Sequence, residues 1–428
     1  MKKVIFTLII TSLIFILEGC SHTPSVLVNE PGYVTPQVTI LTSIQPNPSG
    51  DSNGFTITPF DSVNTSSSGN ILALTDLSGS NVPDSTLTGG NVSGATSGPL
   101  WQNVGNADST ASYTSLFIYN GTPYVAYRDE GNSYKATVKM FDGTNWVSVG
   151  NAGFSTGAVE YTSLYIYNGT PYVAYKDLGN KLKATVKKFD GTSWVNVGKS
   201  GPSISQADYQ SLYVYNGTPY VAYRDSVNRY KATVMKFDGT NWVSVGKPGF
   251  SAGVANYVSL YISNNTLYVA CSDNENNNKA TVMKFDGTSW VNVGNDFSAG
   301  KYVSLYISDE TPYIAYSDAK NSFKATVMKF DGTNWVSLGK EDFSAGVAKY
   351  VSIYIYNNTP YVAYSDGENN YKTTVMKFDG TSWVSVGNEG FSTGGSDYQS
   401  LYVSNGIAYV AYRDGGNSSK ATVMKFSL

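Results

Sequence analysis

The chain of 428 residues contains one histidine and two cysteines, and only 14% of its residues are charged. The histidine, His22, stands near the N-terminus, so serine–histidine dyads and histidine-held metals are excluded from everything beyond it. Lys and Arg form no run longer than two and the net charge is -3, which leaves no electrostatic footprint for nucleic acid. Long apolar runs are equally scarce. Only Val4 to Leu17 qualifies, and it is too short for a comfortable transmembrane helix. What the chain has in plenty is Tyr, 34 of them, and Gly, 42, a turn-rich β composition.

At the start, Lys2 and Lys3 precede the apolar run and Leu17-Glu18-Gly19-Cys20 follows it: a charged region, an apolar region and a small residue before a processing point. This resembles the signal peptide of bacterial lipoproteins, whose lipobox places Leu three before the lipid-bearing Cys and Gly or Ala directly before it. Glu18 departs from the small residue usual there. The resemblance implies lipid on Cys20, attachment to a membrane through that lipid and, because Ser21 rather than Asp follows, sorting to the outer membrane. Cys271 replaces a Tyr of the repeat described next and reads as a small buried hydrophobe. With Cys20 thioether-linked, no internal disulfide can form. Residues 21–98 are rich in Ser, Thr, Asn, Gly and Pro and hold too little apolar surface to offset their ordering entropy. They are expected to be a flexible tether spanning about 50 Å.

From Trp101 the chain repeats. Trp stands at 101, 146, 194, 242, 290, 335 and 383, at spacings of 45 or 48, each time opening W-x-x-[VL]-G. One unit, Tyr350 to Gly387, divides into strands a (350–356), b (360–365), c (371–378) and d (383–386), separated by turn-formers. Four strands at this period are the signature of propeller blades. Strand a starts seven times, at Tyr113, Tyr161, Tyr209, Tyr257, Tyr302, Tyr350 and Tyr398. The first d strand, Trp101 to Val104, has no a, b or c before it, and the last a, b and c have no d after them. The spacing therefore predicts an all-β fold over residues 99–428: seven four-stranded antiparallel blades, with Trp101 to Val104 pairing beside Thr422 to Phe426 to close the ring. The chain resembles seven-bladed β-propellers and, with its signal, the propeller lipoproteins of bacteria. It lacks the Gly-His and Trp-Asp marks of WD40 blades, the double Gly of kelch and the spacing of the sialidase Asp-box.

The a–b (Asn120-Gly121) and c–d (Asp142-Gly143) connections read as two-residue hairpin turns, so the longer b–c and d–a connections share the other edge, the expected binding face. The b–c connection reads D-x-x-N-x-x-K in all seven copies, beginning at Asp129-Asn132, Asp177-Asn180, Asp225-Asn228, Asp273-Asn276, Asp318-Asn321, Asp366-Asn369 and Asp414-Asn417. These residues form either Asx-type turns, with Asn in a left-handed backbone, or a ring of polar ligand contacts. One carboxylate beside one ammonium is a poor calcium cage, so no metal is expected. The d–a connections carry F-S-[AT]-G at Phe154, Phe250, Phe297, Phe343 and Phe391, with the Phe expected to plug the blade. Arg128, Arg224 and Arg413 share one b-strand slot but are expected to point alike rather than converge on one carboxylate. Repeated blades argue for avidity. The expectation is a non-catalytic, cofactor-free monomer in the bacterial envelope, a lectin-like or protein-binding adhesin for a glycan or protein ligand. The alternatives are a glycan-cleaving propeller enzyme and a scaffold in an envelope complex.

Overall fold

The computed structural model describes residues 100–428 apart from Ser200 and Asp296, together with the short strands Gln45–Pro46 and Phe55–Thr56, which pair antiparallel. Cys20, the signal segment and the rest of the stretch expected as a tether lie outside the described residues.

The sixth blade shows how the repeat folds. Ala348–Tyr356, Thr359–Asp366, Lys372–Phe378 and Trp383–Ser385 are its strands a to d, each hydrogen-bonded to the next in antiparallel order. Blades 2 to 6 are five such four-stranded sheets. A seven-stranded sheet joins the last three strands of the chain to Gln102–Tyr119 and the three that follow. That long strand serves two blades: residues 102–110 pair with Lys420–Ser427, and residues 111–119 pair with Thr122–Asp129. Seven blades result, and strand a of each adjoins strand a of the next in a closed cycle. The fold is a seven-bladed β-propeller, closed by three strands from one end of the chain and one from the other.

Each seam between blades repeats the same bonds. The backbone N–H of Leu164 donates to Ser115 Oγ of the preceding blade at 2.9 Å, and the equivalent bond recurs around the ring until Leu116 N–H meets Ser400 Oγ, also at 2.9 Å. At the closing seam the Trp101 indole donates to the Val386 carbonyl at 2.8 Å and stacks on Phe391 at 4.2 Å between centroids. Gly387, at φ +71°, makes room for this packing, since a Cβ there would stand 2.7 Å from the Phe426 ring. The same stacking joins Phe154 to Trp194, Phe250 to Trp290 and Phe343 to Trp383, while Phe297 meets Trp335 edge-on. The d–a phenylalanines are plugs, as expected.

The a–b and c–d turns differ in length. The a–b turn is the expected two-residue hairpin, with Asn120 at φ 47° and Gly121 at φ 77°. The c–d turn is longer than Asp-Gly implied: Phe141 pairs with Trp146, leaving four loop residues between them. Asp142 Oδ1 accepts the N–H groups of Thr144 and Asn145 at 2.8 and 2.7 Å, so the Asp side chain rather than a primed turn shapes this loop.

Candidate functional site

Strand a lines the axis. In blade 2 its register with strand b shifts between Glu160 and Ser163, and Tyr161 within that bulge takes the left-handed backbone at φ 55°. The equivalent tyrosines of all blades, Tyr113 through Tyr398, lie at φ 51° to 58°. A bulky residue held there costs about 1 to 3 kcal/mol, a strain that persists only where the surroundings over-determine it. The seven rings meet around the axis in an unbroken circle, with centroids 4.7 to 5.3 Å apart. Four residues further on, Phe117, Tyr165, Tyr213, Tyr261, Tyr306, Tyr354 and Tyr402 make a second circle at 4.7 to 5.2 Å. Burial, reinforced by neighbouring groups, pushes the hydroxyls of Tyr161, Tyr165, Tyr261 and Tyr354 well above the usual phenol range, and that of Tyr257 up to about 12.

A polar collar surrounds the first circle on the edge that bears the b–c and d–a connections. Each blade fills two cross-strand slots there: Ser112 with Arg128, Glu160 with Lys176, Asp208 with Arg224, Asn256 with Ser272, Lys301 with Ser317, Lys349 with Ser365, and Asp397 with Arg413. Blades 2 to 4 are tied together through these slots. Lys176 Nζ lies 2.9 Å from both Glu160 and Asp208, while Arg224 lies 2.6 Å from Asp208 and donates to Asn256 at 2.7 Å. Burial opposes ionisation of Asp208, yet the bonds from Arg224 and Lys176 outweigh it and hold the carboxyl below its usual range. As expected, Arg128, Arg224 and Arg413 do not converge on one carboxylate: each pairs within its own blade, with Glu130 at 3.9 Å, Asp208 at 2.6 Å and Asp397 at 3.1 Å.

The b–c loops sit just outside the collar. Asp129, Asp177, Asp225, Asp273, Asp318, Asp366 and Asp414 are all buried, at 5% exposure or less. In blade 6, Asp366 accepts from Glu368 N–H at 3.2 Å, Asn369 Nδ2 at 2.9 Å and Thr374 Oγ1 at 3.1 Å. Asp273 also accepts the N–H of Gly253, from the preceding d–a loop, at 2.8 Å. Asn132, Asn228 and Asn321 donate to their own loop's Asp, each at 2.8 Å, whereas Asn180 and Asn417 turn to Thr185 and Thr422 at 3.5 and 3.4 Å. The side chain of Asn276 lies outside the described residues. The structure therefore turns the seven carboxylates inward, where they fasten the loops. The left-handed residues are not the Asn but the two after it, Ser133 at φ 59° and Tyr134 at φ 62° in blade 1.

That second left-handed position carries the surface the sequence reading missed. It holds Tyr134, Leu182, Tyr230, Asn278, Phe323, Tyr371 and Ser419, and at every seam its carbonyl accepts the N–H that opens the next strand a. Tyr134, Tyr230 and Tyr371 are 48%, 42% and 42% exposed. The Arg128 guanidinium stands 5.2 Å from the Tyr113 ring and 5.3 Å from Tyr134, and Arg224 is likewise 4.9 Å from Tyr209 and 5.5 Å from Tyr230. Lys301 lies 4.8 Å from Phe323 and Lys349 4.0 Å from Tyr371. The signal was present as D-x-x-N-x-[aromatic]-K in four of seven copies.

No protein-family model matches the chain, and no curated protein does. Solved structures similar to it are propellers at low identity. The lectin SapL1 in complex with alpha-methyl fucoside shares 16% identity at a TM-score of 0.46, covering 67% of this chain and 99% of that one. An ulvan lyase shares 13% identity at 0.45, covering 76% and 95%. Trypanosoma rangeli sialidase in complex with the inhibitor DANA shares 13% at 0.44, covering 77% and 57%. The expectation of a non-catalytic chain is corrected: a sialidase and a polysaccharide lyase stand among these similar structures beside a lectin.

Proposed function

We propose that this protein is an envelope-anchored recognition propeller that binds a glycan at the mouth of its central channel. The observation that carries this reading is the set of exposed aromatic faces, Tyr134, Tyr230 and Tyr371, held on left-handed backbone and each backed by a cation. A large apolar ring left open to water on a backbone bonded to the next blade is pre-organised for a partner with its own apolar face and polar rim, and a sugar ring has both. The tyrosine circle forms the floor of the mouth, and the collar supplies donors and acceptors for hydroxyl groups. Contacts thus come from the b–c loops, through the residue two after each Asn.

The lipobox at Leu17 to Cys20 supports anchoring. Labelled palmitate should be incorporated by the native chain and not by Cys20→Ala. For the mouth, a glycan array probed with native protein and with the triple variant Tyr134→Ala, Tyr230→Ala, Tyr371→Ala is the direct test. At about 1 kcal/mol for each exposed stacking contact the triple variant should bind about a hundredfold more weakly. Undiminished binding by a folded triple variant removes the mouth from consideration. The same samples read for reducing ends show whether a bound glycan leaves intact or cleaved.

A further inference from the structure

The collar is not neutral. Its two slots hold six cations, Arg128, Lys176, Arg224, Lys301, Lys349 and Arg413, against three carboxylates, Glu160, Asp208 and Asp397, on a chain whose net charge is -3. Nor is the excess spread evenly. Lys176 and Arg224 are neutralised by Glu160 and Asp208, and Arg413 lies 3.1 Å from Asp397. Blades 5 and 6 are different: Lys301 and Lys349 occupy the slot that holds an acid in blades 2, 3 and 7, and their cross-strand partners are Ser317 and Ser365. Those hydroxyls are turned to the carbonyls of Phe323 and Tyr371 at 2.9 and 3.0 Å. Among the described residues neither lysine has a carboxylate within ion-pair distance, and each ammonium rests against an aromatic loop residue instead.

We infer that the ligand is an acidic saccharide, bearing carboxylate or sulfate, whose charged group docks on Lys301 and Lys349 of blades 5 and 6. The inference rests on the binding mouth proposed above and adds the ligand's charge and its orientation. Two adjacent cations at the rim of an aromatic cup, facing a self-neutralised arc on blades 2 to 4, give the cup one anion-selective side. A neutral sugar would leave that side unused.

The test is a glycan array in which uronate-bearing, sialylated and sulfated saccharides are printed beside their carboxyl-reduced or desulfated counterparts. It is probed with native protein, with Lys301→Gln/Lys349→Gln and with the charge-matched control Lys188→Gln/Lys236→Gln. Lys188 and Lys236 are exposed strand c residues on the opposite edge. The expected result is binding confined to acidic members, weakened at least tenfold in the Lys301/Lys349 variant and unchanged in the control, with carboxylate and sulfate spots showing which group is read. Equal binding of neutral counterparts, or full binding by the Lys301/Lys349 variant, overturns the inference while leaving the mouth as a glycan site. Absence of binding to every saccharide overturns both, and loss in the triple tyrosine variant alone upholds the mouth without its charge selectivity.

Discussion

Asp366 is fully buried, with three donors on its two oxygens, and removing its side chain leaves Asn369, Thr374 and the Glu368 N–H without their acceptor. Asp366→Ala should therefore cost about 2 to 4 kcal/mol, read as a lower urea midpoint. Glycan affinity of the folded fraction should stay close to native, and a large loss of affinity at native stability would assign the carboxylate to the ligand instead. Cys271 shows the opposite situation. It stands buried in blade 4 where other blades place Tyr, as at Tyr175, Tyr316, Tyr364 and Tyr412, each beside its plug phenylalanine. Cys271→Tyr, restoring the ring against Phe250, should stabilise by about 1 kcal/mol and raise the melting temperature by about 2 °C. A fall in melting temperature would show that blade 4 has closed around the smaller residue. At this scale the sequence was least legible. A sevenfold Asp looks like a repeated contact until its oxygens are seen facing inward, and nothing in Tyr113 or its copies announces a left-handed backbone.

The closing strand is the element on which the ring depends, and it was legible, because a lone d strand at one end of the chain complements a missing one at the other. Trp101, 7% exposed, is held by the Val386 carbonyl, Phe391 and Phe426. Trp101→Ala should cost about 3 to 5 kcal/mol and open the edge of blade 7 to proteolysis near Lys420 and Lys425 before any other blade is cut. Uniform cutting across blades would mean that the closing strand contributes no more than any other seam. The c–d loop was misread for a local reason: Asp-Gly is a hairpin signal, but here the Asp side chain caps Thr144 and Asn145 and lengthens the turn. The b–c loop lies on the expected edge, yet its outward-facing residue is the one two positions after the motif's Asn rather than the Asp or the Asn.

For the whole propeller, the concentric tyrosine circles link stability to pH. Phenols such as Tyr161, Tyr165 and Tyr261 have folded pKa values above the unfolded value near 10, chiefly through burial. The unfolded chain then loses protons first, so stability is intact below about pH 10 and falls as pH rises beyond it. Absorbance at 295 nm should show these tyrosines silent until the circular dichroism of the sheets collapses, both in one transition. A smooth early titration with the fold intact would mean that the channel is open to water. The site itself was hard to read from sequence because a repeat reports what the blades share, whereas the collar is where they differ, with Ser, Glu, Asp, Asn or Lys in one slot and Arg, Lys or Ser in its partner. The most direct measurement is a crystal structure of the protein with the saccharide it binds most strongly on the array. The ligand should lie over Tyr113 to Tyr398 with its acidic group on Lys301 and Lys349; density between blades on the a–b edge, or on the outer wall, would contradict the account.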